Sequence, residues 1–315
     1  MQNNAQTVVI LGTGGTIAGT AMNAADNVGY TAAQIGVAQL LAAVPALAGQ
    51  ALEAEQVCQI DSKDMGFAVW HTLATIVARH LARPEVAGIV ITHGTDTLEE
   101  TAYFLQRLLA PAKPVVFTAA MRPATALLAD GPQNLLDAVC VARSAGASGV
   151  VAVLAGEVHS ALDVRKLHTY RLAAFGSGDA GVIAQIEEGQ LRQHRPWPAD
   201  EALGVGCLPA DVADWPWVEI VTSHAGARAA PVEALCRSGV RGLVAAGTGN
   251  GSVHHELEAA LVAAQALGVR VLRSSRCLAG AVIETAGQLL PSAGALTPVQ
   301  ARVEMILGLL EAGPP

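Results

Sequence analysis

Residues 7–19 read TVVILGTGGTIAG, an apolar run that breaks into glycines and threonines. Two kinds of glycine-rich turn bind phosphate after such a strand, and neither fits. A dinucleotide fingerprint needs G-x-G-x-x-G, so that its third glycine lets the first helix pack against the sheet. Counted from Gly12 and Gly14, that place holds Ile17. A P-loop ends in Gly-Lys-Ser/Thr, and no lysine precedes Lys63. What is left is a strand, a sharp turn, and Thr16 where backbone crowding is least. That suits either an ordinary strand-to-helix turn or a hydroxyl nucleophile displayed at the carboxyl edge of a parallel sheet.

The rest of the chain has the composition such a sheet requires. Hydrophobic residues make up 52% of the 315 and aromatics only 3%, so the interior is built from Ala, Val, Leu and Ile, as in parallel strands covered by helices. The length suffices for two domains, each with its own core. A formal charge of −8 and a pI near 5.6 give no basic footprint for nucleic acid and favour a small polar substrate. Mean hydropathy is +0.40. Charged residues or glycines nevertheless interrupt every apolar stretch well before the roughly 18 residues of a membrane helix, so no membrane association is expected. The N-terminus, MQNNAQTVVI, has neither a basic region nor a long apolar segment, which reads as the absence of a signal peptide and a cytoplasmic location by default. A periplasmic protein trimmed of its leader would read the same. Cys58, Cys140, Cys207, Cys236 and Cys277 are scattered and lack C-x-x-C spacing, against both a disulfide framework and a zinc site. His254-His255-Glu256 points its histidines in different directions on a helix, and no H-E-x-x-H occurs. A site without metal or cofactor is expected.

Strand-like runs at about 7–12, 55–60, 87–92, 114–118 and 149–154 alternate with helical patterns at about 31–43, 66–82, 97–109 and 132–145. This is the α/β alternation of a mostly parallel sheet with helices on both faces. From about 190 the chain turns Pro-rich and irregular, then resumes with strands near 217–221, 241–246 and 269–273 and helices near 231–238, 253–267 and 298–311. The organisation expected is a larger N-terminal α/β domain over 1–190, a linker over 191–215, and a smaller C-terminal α/β domain over 216–315.

Sites in open α/β folds lie outside the carboxyl ends of the strands. Four polar clusters fall there: Thr16, the run Asp61-Ser62-Lys63-Asp64, the block THGTDTLEET from Thr92 to Thr101, and Asp163 to His168. In THGTDTLEET, Gly94 permits a tight turn, and Asp96 with Glu99 has the spacing of a capping box, which would make Asp96 a structural cap. The other reading puts Thr95 and Asp96 among free N–H groups at a helix start, where anions and oxyanions are favoured. Lysine is scarce in this chain. Lys166, in LDVRKLHT, is a surface cation unless the fold carries it to Thr95 and Asp96, where it would serve as a general base or hold the threonine in its reactive orientation.

Taken together, GTGGTIAG and THGTDTLEET, with DSKDM, DVRKLHT, AGTGNGS, RSSR and LTPVQAR following in order, resemble the bacterial L-asparaginase and glutaminase-asparaginase family over nearly the whole chain. The resemblance implies hydrolysis of L-asparagine to L-aspartate and ammonia through an acyl-enzyme on threonine, with secondary L-glutaminase activity. It identifies Thr16 as nucleophile and Tyr30, in NVGYTAAQ, as a tyrosine closing over it on a mobile loop from Gly19 to Gly29. It makes Thr95, Asp96 and Lys166 a second polar triad. Ser62 is implied to hold the substrate carboxylate, Asp96 its ammonium, and Lys63 and Gly94 to line the same pocket. Each site is implied to be completed by Ser252 and Glu284 of a neighbouring subunit, in a homotetramer of two intimate dimers. Lys63 stands where glutamine is common and Ser252 where asparagine is frequent, and pairing of Lys63 with Asp64 or Asp61 would reshape the head-group wall. Two other functions are set against this one. A tRNA-dependent amidotransferase subunit would carry an added N-terminal domain, and an amino-acid sensor would not need both threonine groups.

Overall fold

The computed structural model describes residues 6–313. The leaderless reading of the N-terminus falls partly on residues 1–5, outside the described residues. The chain divides into two compact units, with the break after Val205.

The first unit is built on β1 (Thr7–Gly14), β2 (Leu52–Ile60), β3 (Val86–Thr92), β4 (Val115–Thr118) and β5 (Val150–Leu154). They lie parallel in the order β2-β1-β3-β4-β5. Chain order reverses between β1 and β3, the topological switch point outside which open α/β sheets bind ligands. Four helices cover these strands: α1 (Val37–Ala42), α2 (Phe67–Leu81), α3 (Leu98–Leu109) and α4 (Gly131–Arg143). In α2 the buried Trp70, Leu73, Ala74 and Val77 recur at helical spacing, and Trp70 stacks on Phe104 of α3 at 4.7 Å. Val8–Leu11 of β1 and Ile89–Ile91 of β3 are fully buried, as strands covered on both faces must be.

Three features depart from the expected elements. The sheet continues past β5 through antiparallel strands β6 (Glu157–Ser160), β9 (Ala184–Glu187) and β10 (Gln190–Gln193). The first residues of the irregular stretch over 191–215 therefore belong to the sheet. A two-stranded ribbon, β7 (Arg165–Lys166) with β8 (Phe175–Gly176), pairs Lys166 with Phe175. The helix expected over 31–43 is confined to Val37–Ala42, because the segment before it spends its donors on the turn after β1. Ala33 N–H bonds to Gly15 O, and the N–H groups of Gln34 and Ile35 both bond to Ala18 O.

The second unit carries β11 (Val218–Thr222), β12 (Gly242–Gly247) and β13 (Arg270–Ser275), parallel in that order, with α5 (Ala230–Arg237), α6 (His255–Ala266) and α7 (Pro298–Glu311). Its core gathers Val221, Val232, Leu243, Ala245, Leu257 and Leu261. Thr297 and Gln300 close a reciprocal capping box at the start of α7, which fixes where that helix begins. His254 caps α6, its Nδ1 accepting the Glu256 N–H at 3.3 Å. No helix among the described residues is long and apolar enough to cross a membrane.

Candidate active site

Two turns meet at the switch point. After β1 the backbone runs through Gly15 at φ 80°, a left-handed conformation that L side chains resist. A Cβ at Gly15 would lie 2.4 Å from the Cα and N of Gly94, in the turn after β3, and one at Gly94 would lie 2.4 Å from Ser62 Oγ. These glycines are needed because backbone packs on backbone. The residues that follow them, Thr16 and Thr95, are thereby brought to one place, each buried to 7% and 6% exposure.

Thr16 opens a short 3₁₀ turn, Thr16–Ala18, whose residues are all buried. Its Oγ1 lies 2.7 Å from Tyr30 Oη. Tyr30 ends a loop closed at its base by reciprocal 2.9 Å bonds between Thr20 and Thr31. The loop rests on a shelf formed by residues 121–128. Ala124 N–H bonds to Gly19 O at 2.9 Å and Leu127 N–H to Ala24 O at 3.0 Å, while Ala21 N–H bonds to Thr125 Oγ1 at 2.8 Å. Asp26 Oδ1 accepts the N–H groups of Val28 and Gly29, and these bonds, Gly29 first, hold its carboxyl below its ordinary pKa. Met22 and Val28 at the loop's far side are exposed.

The second group is assembled from three elements. Lys166 Nζ donates to Thr95 Oγ1 at 2.8 Å and to Asp96 Oδ1 at 2.7 Å. Ser62 is 2% exposed; its Oγ accepts the Asp96 N–H at 3.1 Å, and its carbonyl accepts the Thr97 hydroxyl at 2.8 Å. Ser62 itself is fixed by a 3₁₀ turn, Ser62–Asp64, capped by Asp61. The capping role for Asp96 is corrected here. The N-cap of α3 is Thr97, with no side-chain cap bond, and the Asp96 carboxylate turns to Lys166 instead. A lysine ammonium at hydrogen-bond distance from both groups gives a stronger, charge-assisted contact than a backbone cap.

Lys63, Ser252 and Glu284 take no part in the bonds that join Ser62, Thr95, Asp96, Thr97 and Lys166. Lys63 pairs with its neighbour Asp64 at an exposed position, and that bond raises its pKa. Ser252 and Glu284 belong to the second unit, where both are exposed. Their segments adjoin: Asn250 Nδ2 donates to Ile283 O at 2.9 Å, and Asn250 Oδ1 accepts the Ile283 N–H at 2.8 Å. Three further residues surround the site, two of them, His93 and Cys58, without a readable signal in the sequence. His93 is fully buried, and its Nδ1 donates to Gly94 O at 2.7 Å, so that Nδ1 carries the proton. Burial pushes its pKa down to about 4, partly offset by that bond, leaving a neutral ring behind the turn. Cys58 donates to Thr13 O at 3.4 Å, and burial pushes its thiol up to about 11. It is a protonated thiol near neutral pH and thus a weak nucleophile. The third is Glu99, half-buried three residues after Asp96.

Asp96, Glu99, Lys166, Leu167, His168 and Thr169 line a pocket of about 470 Å³. A larger hollow of about 680 Å³ in the second unit, beside Asp214, Trp215, Trp217 and Arg241, has no hydroxyl or thiol side chain on its walls. The arrangement at the switch point offers two buried hydroxyls, each with an O–H or N–H partner at short range. That is the equipment for an attack by one hydroxyl with proton transfer supported by the other group.

The family model described as "Asparaginase, N-terminal" matches residues 7–199, and that described as "Glutaminase/Asparaginase C-terminal domain" matches residues 217–313. The chain is 39% identical to "L-asparaginase 2" of Escherichia coli (strain K12), over 98% of this chain and 90% of that protein. It is 39% identical to "Glutaminase-asparaginase" of Pseudomonas fluorescens biotype A, over 88% of this chain and 77% of that protein. The solved structure of a probable cytoplasmic L-asparaginase from Campylobacter jejuni superposes with a TM-score of 0.91 at 36% identity, covering 96% of this chain and 94% of that one.

Proposed function

This chain belongs to the asparaginase family, and we propose that it hydrolyses L-asparagine to L-aspartate and ammonia, with Thr16 as the nucleophile. The observation that carries the reading is the contact of Gly15 with Gly94, since it brings a tyrosine-bonded threonine and a lysine-bonded threonine to one point. Thr16 Oγ1 attacks the carboxamide carbon while its proton is relayed through the Tyr30 hydroxyl 2.7 Å away, which takes it up as it gives its own to the amide nitrogen. The C–N bond breaks and ammonia leaves with that proton, which gives an aspartyl ester of Thr16. Water, oriented by Thr95 Oγ1 under the Lys166 ammonium, then adds to the ester carbon. The bond between the acyl carbon and Thr16 Oγ1 then breaks, and the water's proton returns to Oγ1, which releases L-aspartate and restores the hydroxyl. A threonine hydroxyl is a weak nucleophile at its ordinary pKa, so both partners are required.

Asp96, more than half exposed beside Lys166, takes the substrate ammonium in this reading, and Ser62 with Gly94 supports the wall that receives the carboxylate. Ser252 and Glu284 of a neighbouring copy complete the pocket in a homotetramer, which accords with closed two-fold assembly being the common form of homo-oligomers. A cytoplasmic location is supported by five cysteines that are all unpaired. Neither the sensor nor the amidotransferase alternative finds support among relatives named as amidohydrolases. The test is ammonia release from L-asparagine and L-glutamine by wild type and Thr16→Ala, with mass measured by light scattering at assay concentration. Activity that survives in Thr16→Ala, or full activity in a monomer, would refute the respective part.

A further inference from the structure

Glu99 has no part in that reaction as written. It sits in the first turn of α3, where the spacing from Asp96 suggested a capping partner, yet no such box forms. Its carboxyl instead accepts the backbone N–H of Lys166, and it lines the pocket that Asp96 and the Lys166 side chain also line. Lys166 lies on a ribbon of two residues per strand, far too short to fix a side chain through its own ladder. The lysine is thus tied at both ends: its ammonium to Thr95 and Asp96, and its main chain to Glu99.

Resting on the asparaginase reading above, we propose that Glu99 is a positioning residue for Lys166, and that gain or loss of a proton on this carboxyl tightens or loosens the lysine's grip on Thr95. The groups facing it are Glu100 on its own helix, Arg165 and Lys166 on the ribbon, and Asp96 and His168 on the pocket wall. Burial first and Glu100 second push the carboxyl up to about 7, while the Lys166 N–H, Arg165 and Lys166 act in the opposite direction. The carboxyl therefore changes charge near neutrality. Ionised, it is a charged acceptor for the Lys166 N–H; protonated, it is a neutral one of roughly half the strength. Activity follows the ionised form, so kcat rises with pH through about 7.

The experiment is the pH profile of kcat and KM for ammonia release from L-asparagine between pH 5.5 and 8.5, on wild type, Glu99→Gln and Glu100→Gln. Glu99→Gln keeps shape and acceptor but cannot ionise. Its kcat is expected to stay flat across the window at the wild-type low-pH level, about fivefold below the wild-type plateau, with KM within twofold. Glu100→Gln removes a repelling charge and should move the wild-type inflection to lower pH without changing the plateau. A Glu99→Gln profile that keeps the wild-type inflection would assign it to another group of the wall, His168 among them, and overturn the proposal. An unmoved inflection in Glu100→Gln does the same, and that variant remains informative if Glu99→Gln fails to fold. An inactive wild type would instead defeat the asparaginase reading itself, so the two failures are distinguishable.

Discussion

The two hydroxyl groups at the switch point are held in opposite ways. Thr95 stands at the head of α3, with Ser62 bonded on both sides of the adjoining residues and Lys166 donating to Thr95 and Asp96. Each of its partners comes from a different element of the first unit, so the group is fixed before any substrate arrives. Thr16 is equally buried, but its partner Tyr30 hangs from a loop with exposed Met22 and Val28, attached to the shelf at residues 121–128 by three backbone donors. Few buried contacts and exposed hydrogen bonds are the marks of a segment that opens at low free-energy cost. We propose that one half of the site holds its group in place while the other opens and closes over it.

The largest effect expected from this contrast is loss of Thr16, the proposed nucleophile. Thr16→Ala should lower kcat by about 10⁴-fold or more, the scale seen when a covalent nucleophile is removed, with a thermal midpoint near that of wild type. Steady-state ammonia release and calorimetry check both. Next come the partners. Lys166→Met should cost about 10³-fold in kcat and Tyr30→Phe about 10²-fold, within the span of general acid–base terms. The preformed group has no substitute for its lysine, whereas a closed loop still orients Thr16. Equal losses in the two variants would break the contrast.

Gly15→Ala tests the contact that joins the halves. A methyl 2.4 Å from Gly94 at φ 80° adds overpacking to left-handed strain, about 2–4 kcal/mol together, to be read as a lower urea midpoint. A smaller effect is expected at the shelf. Thr125→Val removes the acceptor for Ala21 N–H and should raise KM about threefold with kcat within twofold, because only loop closure is weakened. A fall in kcat alone would place the loop in the chemistry rather than in access. The smallest concerns Ser252. Glutamine exceeds asparagine by one methylene, worth about 1–3 kcal/mol in a pocket, so wild type should hydrolyse glutamine within about a hundredfold of asparagine in kcat/KM. Ser252→Asn should lower the glutamine-to-asparagine ratio by less than tenfold, measured by kcat/KM for both substrates.

The fixed half was the more legible in the sequence. Val8–Leu11 and Ile89–Ile91 are uninterrupted apolar runs, and such runs are what a strand covered on both faces demands. THGTDTLEET states its own turn and helix. The parts that escaped are those where local pattern and tertiary role disagree. Residues 31–36 look helical but give their backbone donors to the Gly15–Ala18 turn. β9 and β10 are short, polar and half-exposed at the sheet edge, so they show no alternation. The β7–β8 ribbon spans two residues a strand, beneath what any periodicity detects. Tyr30 came from family resemblance alone, since nothing in NVGY marks a residue destined for a hydroxyl 14 positions earlier. The spacing of Asp96 and Glu99 suggests a capping box because sequence spacing does not reveal a competing N–H from Lys166, 67 residues beyond Glu99.

The central claim is that Thr16 becomes acylated and that the Thr95 group then serves the water. Acid-quenching Thr95→Val during turnover of L-asparagine, followed by peptide mass spectrometry, tests it directly. The account predicts an aspartyl adduct on the peptide that contains Thr16, formed with a stoichiometric burst of ammonia because the second step is slowed more than the first. An adduct elsewhere, or an ammonia burst with no adduct on any peptide, would contradict it.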